Sequence, residues 1–411
     1  MQLDQCEWPA DIDEGRCGWM FRGLAPLVPF MKVPPRTVSI LHVSQPVDGG
    51  VARCVADLAG DQVRRGWDVT VASPSAGRLP GWVHNAGAGH VHWAARREPG
   101  LSVFAEATAL QRVAQRVGPL IVHLHSAKAG LAGRLAIRRR RPTIFQPHAW
   151  SVEAAEGRSR GVAAAWERWA ARWTDVIVCV STAEMRRGVD IGVPGLWQVV
   201  RNGVDLQAHR PYSDAEKNAA RRRLALGDDP LVVCIARLSK QKGQDVLLDA
   251  WPRVLRQIPE ARLVLVGEGP DRSALGLRAG PRVVFAGERE DVGEWFGAAD
   301  VIAMPSRWEG MSLVMLEAMA RGKSIVASDV AGASEALSGL GAIVPVEDPP
   351  SLARAIIQRL EDRALREAEG SAARERAESW YDLSRATAQI AAIYTKVLER
   401  VPLQGDAFHE I

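Results

Sequence analysis

The stretch from Val301 to Gly332, VIAMPSRWEGMSLVMLEAMARGKSIVASDVAG, constrains the fold more than any other part of the chain. It begins with a short apolar run, Val301–Met304, that ends at a Pro-Ser turn. A helical segment follows, for which Ser312 is a suitable N-cap and Gly322 a suitable stop. A second apolar run, Ser324–Ser328, completes a strand–loop–helix–strand unit. This unit predicts neighbouring parallel strands of an α/β sheet, which bind ligands outside their carboxyl ends.

The loop of this unit has the chemistry of a sugar-nucleotide site. Backbone N–H groups of Met311, Ser312 and Leu313 would lie at the start of the helix, where they and the helix dipole favour phosphate. The carboxylates of Glu309 and Glu317 would need hydroxyl donors so close to a phosphate. A diphosphate, a ribose diol and a hexose supply both kinds of partner. Taken alone, without the flanking sequence, the two glutamates are better explained as solvated side chains on helix faces, as most glutamates are.

The segment PSRWEGMSLVMLEAMARGK resembles the donor-site motif of the retaining GT-B glycosyltransferases of glycosyltransferase family 4, in its flanks as well as in its Glu-x7-Glu spacing. The resemblance extends from about Thr37 to Arg400. It implies an α/β fold of the GT-B class, with two doubly wound Rossmann-like domains facing across a cleft. It also implies that Glu309 contacts the donor sugar beside Gly310, and that Glu317 contacts the ribose.

Three further segments match the family pattern. Arg237 and Lys242, in ARLSKQKG, are implied to grip the donor diphosphate, where fixed cations would stabilise the leaving nucleotide. His148 follows a strand of the first domain and is implied to lie near the donor sugar. The Gly49-Gly50 turn is implied to lie near the donor phosphates, although a Gly-Gly pair also suits any tight strand-to-helix turn.

The acceptor side is less defined. A predicted strand, Leu120–His125, ends in the polar residues His125, Ser126 and Lys128. A polar cluster at a strand end is a candidate acceptor site. A helix that begins at Ser126 explains the same residues equally well.

Length and composition restrict the function classes. A chain of 411 residues suits two domains. The net charge of +4 is modest and does not indicate a nucleic-acid partner. Five scattered cysteines, Cys6, Cys17, Cys54, Cys179 and Cys234, have no metal-type spacing and suit a reducing compartment. We therefore expect a cytoplasmic enzyme, with the inner face of the plasma membrane as a site of association.

The domain boundaries follow from composition and from the resemblance. We expect an N-terminal tail over residues 1–35 and an acceptor-side domain over 36–208. A donor-nucleotide domain is expected over 209–380. A helix over 381–400 is then expected to cross back to the first domain, followed by a tail over 401–411.

No metal is expected, because no His/Cys cluster has ligand spacing and the Asp-x-Asp at Asp11 and Asp13 lies in the predicted tail. No cofactor is expected beyond the co-substrate, a UDP- or GDP-linked sugar. A membrane contact through Arg134, Arg138–Arg141 and the tryptophans of the first domain is one interpretation of the basic residues, and a solvated helix end is the other. The tryptophans in question are Trp82, Trp93 and Trp150.

The predicted function is transfer of a sugar, with retention of anomeric configuration, from a nucleotide-sugar to a glycan or polyprenyl-linked acceptor. By family resemblance, the setting is cell-surface polysaccharide or glycolipid synthesis. Two alternatives stay open. A sugar-nucleotide epimerase on a similar scaffold should lack the Glu309–Glu317 unit and the Arg237/Lys242 pair, whereas a non-catalytic sugar-nucleotide-binding subunit could retain both.

Overall fold

Two parallel β-sheets organise the protein. The computed structural model describes residues 37–96, 100–155 and 157–400, so the predicted tails over 1–35 and 401–411 lie outside the described residues. Within these ranges, one sheet has seven strands and the other has six, and every recorded strand pair in either sheet is parallel. Parallel pairing requires crossover connections, and helices supply them in both sheets.

The first sheet has the strand order β3-β2-β1-β4-β5-β6-β7. Its strands are β1 (Ser39–Ser44), β2 (Asp68–Ser73), β3 (Gly89–His92), β4 (Ile121–His125), β5 (Thr143–Gln146), β6 (Val176–Cys179) and β7 (Trp197–Val199). Its helices are α1 (Gly49–Arg64), α2 (Leu79–Asn85), α3 (Ser102–Val117), α4 (Ser126–Ile137), α5 (Ser151–Ala154), α6 (Arg158–Ala170) and α7 (Thr182–Asp190). The strand order reverses between β1 and β4, which is where a doubly wound sheet binds its ligand.

The second sheet has the order β10-β9-β8-β11-β12-β13 and reverses between β8 and β11. Its strands are β8 (Leu231–Ile235), β9 (Arg262–Val266), β10 (Val283–Gly287), β11 (Val301–Met304), β12 (Ser324–Ser328) and β13 (Ala342–Val344). The helices that follow β7 along the chain are α8 (Asp214–Arg223), α9 (Gln244–Gln257), α10 (Arg272–Arg278), α11 (Val292–Ala298), α12 (Leu313–Ala320), α13 (Ala331–Leu337), α14 (Pro349–Glu361), α15 (Arg363–Trp380) and α16 (Leu383–Arg400).

Helix α16 packs against the first sheet although it follows the second sheet in the chain. Ile390, Ile393 and Tyr394 share an apolar cluster with Ile40 of β1 and Leu58 of α1. The amphipathic pattern of α16 supplies this buried stripe. The chain thus crosses between the sheets twice, once after β7 and once before α16.

The helix predicted over 381–400 begins two residues later in the structure. Helix α15 ends at Trp380, and α16 begins at Leu383. Between them, the N–H of Val204 donates to the carbonyl of Tyr381 at 2.7 Å, and the N–H of Leu383 donates to the carbonyl of Val204 at 3.1 Å. The two crossing segments pair with each other here, at the two residues that separate the helices.

Apolar runs bounded by turn residues predict strands well in this protein. The predicted strands Val301–Met304 and Ser324–Ser328 are confirmed with identical bounds. Helix α7 is capped by Ser181. Its hydroxyl accepts from the N–H of Glu184, but the Glu184 carboxylate accepts from the N–H of Val180 instead of from Ser181.

Candidate active site

Loops from both sheets meet at the carboxyl ends of their central strands. In the first sheet, Gly49 follows β1, and His148 lies two residues after β5. In the second sheet, Arg237 lies two residues after β8, and Glu309 lies five residues after β11. These are the edges at which both doubly wound sheets reverse their strand order, so the topology itself gathers the predicted donor residues.

Glu309 and Lys242 are bonded to each other. The ammonium group of Lys242 donates to Oε1 of Glu309, and the hydroxyl of Ser306 donates to the same oxygen at 2.6 Å. Glu309 is only 8% exposed. The structure therefore joins a residue predicted to contact the sugar with one predicted to grip the diphosphate, while Arg237 is exposed.

Arg307 holds the loop after β11 against the segment after β8. Its guanidinium makes two hydrogen bonds to the Asp245 carboxylate, at 2.9 and 2.7 Å, and one to the carbonyl of Lys240 at 2.7 Å. The side chain of Gln241 adds a bond to the carbonyl of Trp308 at 3.0 Å. Paired bonds from a planar guanidinium fix orientation as well as distance, so the loops after β8 and β11 are held in a defined position relative to each other.

The helix start at Leu313 lies where the sequence predicts it. Ser312 is the N-cap in extended conformation, but its side chain makes no capping hydrogen bond. Met311 and Leu313 are buried, and the amide of Asn202, from the first crossing segment, donates to the carbonyl of Met311 at 2.8 Å. A β-carbon added to Gly50 would lie 3.7 Å from the Leu313 side chain, so the Gly49-Gly50 turn lies beside this helix start.

Gly310 lies under the backbone of His148. A β-carbon at position 310 would stand 2.6 Å from the carbonyl oxygen of His148, and a β-carbon at Gly332 would stand 1.7 Å from the carbonyl oxygen of Gly310. No side chain fits at either position without displacing backbone. His148 itself adopts a left-handed conformation with φ of 58°, which is costly for a residue other than glycine and is often retained at functional sites.

A chain of hydrogen-bonded side chains lies behind His148. Its Nε2 is 3.2 Å from Nδ1 of His125, and Nε2 of His125 is 2.9 Å from Nδ1 of His42. Nε2 of His42 is in turn 2.8 Å from Oε1 of Gln62, on α1. His42, His125 and Gln62 are at most 1% exposed. His148 is thus connected to the interior of the first domain.

Burial keeps these histidines neutral. It lowers the pKa of His42 to about 4 and that of His148 to about 3. It also lowers the pKa values of His123 and His125 well below the ordinary value, and the neighbouring imidazoles add to the effect. A neutral imidazole has one N–H donor and one bare nitrogen, so it can both donate and accept in a chain.

Glu317 has the opposite perturbation. Burial raises the pKa of this carboxyl to about 7, although Arg321 and Arg53 oppose the effect. Asp57 of α1 raises the pKa further. A carboxyl poised near neutral pH, at the helix where the ribose is predicted to bind, can change charge when a ligand binds.

The structure corrects the predicted acceptor contacts. Lys128 is only 7% exposed, and its ammonium group pairs with the Glu106 carboxylate at 2.7 Å. His125 is fully buried in the histidine chain. Ser126 is the first residue of α4 and its hydroxyl is buried. The polar groups of all three candidates are therefore buried within the protein.

The predicted membrane contact also changes. Arg134 is fully buried, where it pairs with Glu167 at 2.6 Å, and Trp93 and Trp150 are each 1% exposed. The tetrad Arg138–Arg141 is exposed, as predicted. Among the helices that the structure describes, none is both long enough and apolar enough to cross a bilayer.

Sequence analysis missed the interior histidines. His42 and His123 lie on β1 and β4, paired in register and on the same face of the sheet. The signal was present, because each strand places histidine among apolar residues, and a buried polar side chain needs a partner. The partners, Gln62 and Tyr394, lie far away in sequence, with Tyr394 bonded to Nδ1 of His123 at 2.6 Å.

His42, His123 and His125 also form a group whose nitrogens could hold a metal, since these atoms lie within 4.8 Å of one another. Three imidazoles are a common set of zinc ligands at about 2.0–2.1 Å from the ion. Here, however, the facing nitrogens of His42 and His125 bond to each other at 2.9 Å. Metal independence stays a prediction, and a metal ion bound at these three histidines would contradict it.

Two family models match the chain, one in each half. A family model described as Glycosyltransferase Family 4 matches residues 48–208, and one described as Glycosyl transferases group 1 matches residues 229–362. The first match covers the first sheet except for β1, and the second covers the whole of the second sheet. The first matched range includes the Gly49-Gly50 turn, and the second includes the loops after β8 and β11.

Curated relatives are bacterial sugar transferases. The chain is 33% identical over 220 residues to a GDP-mannose-dependent monoacylated alpha-(1-6)-phosphatidylinositol monomannoside mannosyltransferase of Corynebacterium glutamicum, an alignment that covers 50% of this chain and 58% of that protein. It is 32% identical to the lipopolysaccharide core biosynthesis mannosyltransferase LpcC of Rhizobium leguminosarum bv. viciae, covering 57% and 68%. It is 32% identical to a D-inositol 3-phosphate glycosyltransferase of Nocardioides sp., covering 71% of each.

Solved structures share the fold. HepE of Anabaena, in complex with UDP and glucose, superposes with a TM-score of 0.77 at 22% identity, covering 87% of this chain and 100% of that one. WaaG, a glycosyltransferase of lipopolysaccharide biosynthesis, superposes with a TM-score of 0.68 at 17% identity, covering 87% and 99%. The predicted architecture, two doubly wound domains in the GT-B arrangement, is confirmed.

Proposed function

The chain belongs to the group 1 glycosyltransferases, and on that premise we propose that it transfers a sugar from a nucleotide-sugar donor to a glycan or lipid-linked acceptor with retention of anomeric configuration. One observation carries the proposal. Gly310, on the second domain, lies against the backbone of His148 of the first domain, and the neighbouring residue Glu309 pairs with Lys242. A donor in this position would have its phosphates at the second domain and its sugar between the two.

The residues support a division of labour. Arg237, Lys242 and the N–H groups at the start of α12 would hold the diphosphate and stabilise the charge that develops as it leaves. Glu309 would accept hydrogen bonds from sugar hydroxyls, in partial exchange for its bond to Lys242. Glu317 would accept from the ribose. These roles are distinct, because the first set stabilises the transition state and the glutamates bind the ground state.

We propose front-face attack for the transfer. Double displacement needs a carboxylate near the anomeric carbon on the side opposite the phosphate, and Glu309 is held by Ser306 and Lys242. In the front-face course, the bond from anomeric carbon to phosphate breaks while the bond to the acceptor oxygen forms on the same side. The acceptor proton passes to a departing phosphate oxygen, so no protein carboxylate is consumed.

A GDP- or UDP-linked sugar is the proposed donor class, with GDP-mannose the first to test. Two of the relatives named above are mannosyltransferases, and the name of one states dependence on GDP-mannose. The solved HepE complex contains UDP and glucose, which makes UDP-glucose the matched alternative. A glycan or a polyprenyl-linked or other lipid-linked sugar is the proposed acceptor, met at the cytoplasmic face of the plasma membrane.

An exposed basic and aromatic surface supports contact with a membrane that carries such an acceptor. Arg138 lies over the ring of Trp173 at 5.7 Å, and that ring contacts Trp169 at 4.4 Å. Trp169 is 42% exposed, and Val162 on the same helix is 71% exposed. Basic residues beside exposed aromatic and apolar side chains favour anionic lipid interfaces. We propose that this surface, together with Arg139–Arg141, replaces the one predicted from the sequence.

The deciding experiment is a transfer assay with a panel of nucleotide sugars, run with and without lipid-linked and free glycan acceptors. We expect acceptor-dependent release of nucleotide from one donor, and product with retained configuration by NMR. Interconversion of the donor sugar without acceptor would identify an epimerase. Donor binding without turnover under any condition would identify a binding subunit.

Intact-mass spectrometry of the enzyme incubated with donor alone tests the reaction course. Front-face attack predicts no glycosyl-enzyme, whereas double displacement predicts an adduct of one hexose. An adduct mapped to Glu309 or to another carboxylate would overturn the front-face course and leave the donor site in place. His148→Ala should slow transfer and leave nucleotide affinity nearly unchanged, because His148 lies on the sugar side.

A further inference from the structure

The hydrogen-bonded chain behind His148 has a direction. The Oε1 atom of Gln62 is an acceptor, so Nε2 of His42, at 2.8 Å, carries the proton. Among the described residues, no well-aligned acceptor meets the amide nitrogen of Gln62. The oxygen, which can only accept, is therefore the Gln62 atom that bonds to the histidine series.

The direction passes from ring to ring because each histidine is neutral. With its proton on Nε2, His42 has a bare Nδ1, which accepts from Nε2 of His125 at 2.9 Å. His125 then has a bare Nδ1, which accepts from Nε2 of His148 at 3.2 Å. His148 is left with a proton on Nε2 and a bare Nδ1. One buried amide thereby specifies the tautomers of three imidazoles in series.

We propose that Gln62, His42 and His125 are positioning residues that hold His148 as the Nε2–H tautomer and present its Nδ1 as a hydrogen-bond acceptor to a hydroxyl of the donor sugar. This inference rests on the proposed function for the identity of the ligand. A sugar hydroxyl bound in this way donates to Nδ1, so its own oxygen lone pairs stay available to donors of the second domain. The left-handed backbone of His148 and its packing on Gly310 fix the ring position, and the chain fixes its protonation pattern.

The geometry opposes a simple structural role. Four polar side chains in a buried stripe could be replaced by apolar residues at little cost to stability, because satisfied buried polar groups contribute little net free energy. The stripe instead ends at the one member that is partly exposed, His148, at the carboxyl edge of the sheet. In such a series, the hydrogen bond at Gln62 sets the tautomer of His148 through the two intervening imidazoles.

The test reads tautomers directly in the full chain labelled with ¹⁵N-histidine. Long-range proton–nitrogen correlation spectra separate the Nε2–H from the Nδ1–H form, and the His148 signals are assigned by their loss in His148→Ala. We expect His42, His125 and His148 all to be Nε2–H. An Nδ1–H form at any of the three, or a metal-bound spectrum at His42 and His125, would overturn the proposal.

Two substitutions at one position provide the matched comparison. His42→Leu removes the acceptor for His125, so an N–H would be left buried and unpaired unless the series reverses. We expect reversal, with His148 at least partly in the Nδ1–H form. His42→Asn retains an oxygen close to the position of Nδ1, and we expect it to preserve the Nε2–H form. His84→Leu, the same chemical change at an exposed position of α2, controls for the loss of a histidine.

The activity readout should follow the tautomer. We expect about a three- to tenfold lower kcat for His42→Leu, with nucleotide affinity unchanged, and recovery towards the wild-type value in His42→Asn. A folded His42→Leu protein with the wild-type His148 tautomer would overturn the proposal whatever its activity. If the expected tautomers were observed but no sugar were transferred from any donor, the hydrogen-bonded series would be supported and the proposed function would be wrong.

Discussion

Lys242 and Glu309 connect the two loops that follow β8 and β11, through a bond between the ammonium group and Oε1 of the carboxylate. The contact spans 67 positions in the sequence. Each residue neutralises the other, so the pair can lie largely buried at the edge of the sheet. In the proposed donor complex, Lys242 would bind a phosphate oxygen and Glu309 would accept a hydrogen bond from a sugar hydroxyl. Each residue would then exchange part of its bond to the other for a bond to the donor.

Removing a donor cation should reduce turnover. Arg237→Ala and Lys242→Ala each take a positive charge from the departing diphosphate, and loss of one such stabiliser costs about 10²–10³ in rate. Initial rates with saturating donor would measure the effect. Arg253→Ala, an exposed arginine on α9, is the matched control and should behave as wild type. Wild-type turnover in both site variants would show that the donor is placed wrongly.

Donor affinity should rise with pH through the titration of Glu317. Burial raises the pKa of this carboxyl to about 7, so below that value it carries a proton that it must lose to accept both ribose hydroxyls. Affinity should therefore fall by up to about tenfold per pH unit below neutrality and level off above it. Calorimetry with a nucleotide sugar is the measurement, because its diphosphate does not titrate in this range.

Glu317→Gln is the control for the same experiment. It removes the titration and should give a weaker but nearly flat pH profile. A wild-type profile that is already flat, or one that slopes the other way, would count against a ribose contact at Glu317.

The interior histidines should make the protein acid-sensitive. Burial lowers the pKa of His42 to about 4, whereas an unfolded chain protonates near the ordinary value of 6.5. Above that value both states are neutral and the histidines contribute nothing to pH dependence. As pH falls, the unfolded state binds protons first, so the free energy of unfolding decreases until the native state also protonates. The decrease for His42 is about 3 kcal/mol at most.

Urea unfolding at several pH values between neutrality and pH 4.5 would measure this slope. His123→Phe removes one buried histidine without interrupting the series from Gln62 to His148, and it should give a shallower slope than wild type. His84→Phe, at an exposed position, should leave the slope unchanged. Equal slopes in all three proteins would contradict neutral burial of the cluster.

Activity should persist in excess chelator, since side-chain cations and a helix start replace the metal in the proposed mechanism. Transfer assays after dialysis against a chelator, with metal analysis of the dialysed protein, provide the measurement. An absolute requirement for Mn²⁺ or Mg²⁺ would contradict the prediction. Zinc retained in stoichiometric amount would instead locate an ion at His42, His123 and His125, where the ligand nitrogens already converge.

The sequence predicts the second domain better than the first, for a physical reason. The candidate donor residues between Ser306 and Glu317 lie in one short segment, so their spacing is visible in the sequence itself. The series from Gln62 to His148 depends on which residues neighbouring strands bring together, across separations of 20, 83 and 23 positions. Burial of Lys128 was likewise hidden, because its partner Glu106 lies on a different helix.

The pairing of Val204 with Tyr381 and Leu383 ties together the two segments that connect the domains. Both segments that connect the domains are held side by side, with Gly203 packed against the backbone of Leu383. Neither segment can slide along the other without breaking the two hydrogen bonds that Val204 makes. Both bonds join backbone groups, so the tie between the two connections does not depend on the side chains at Val204, Tyr381 and Leu383.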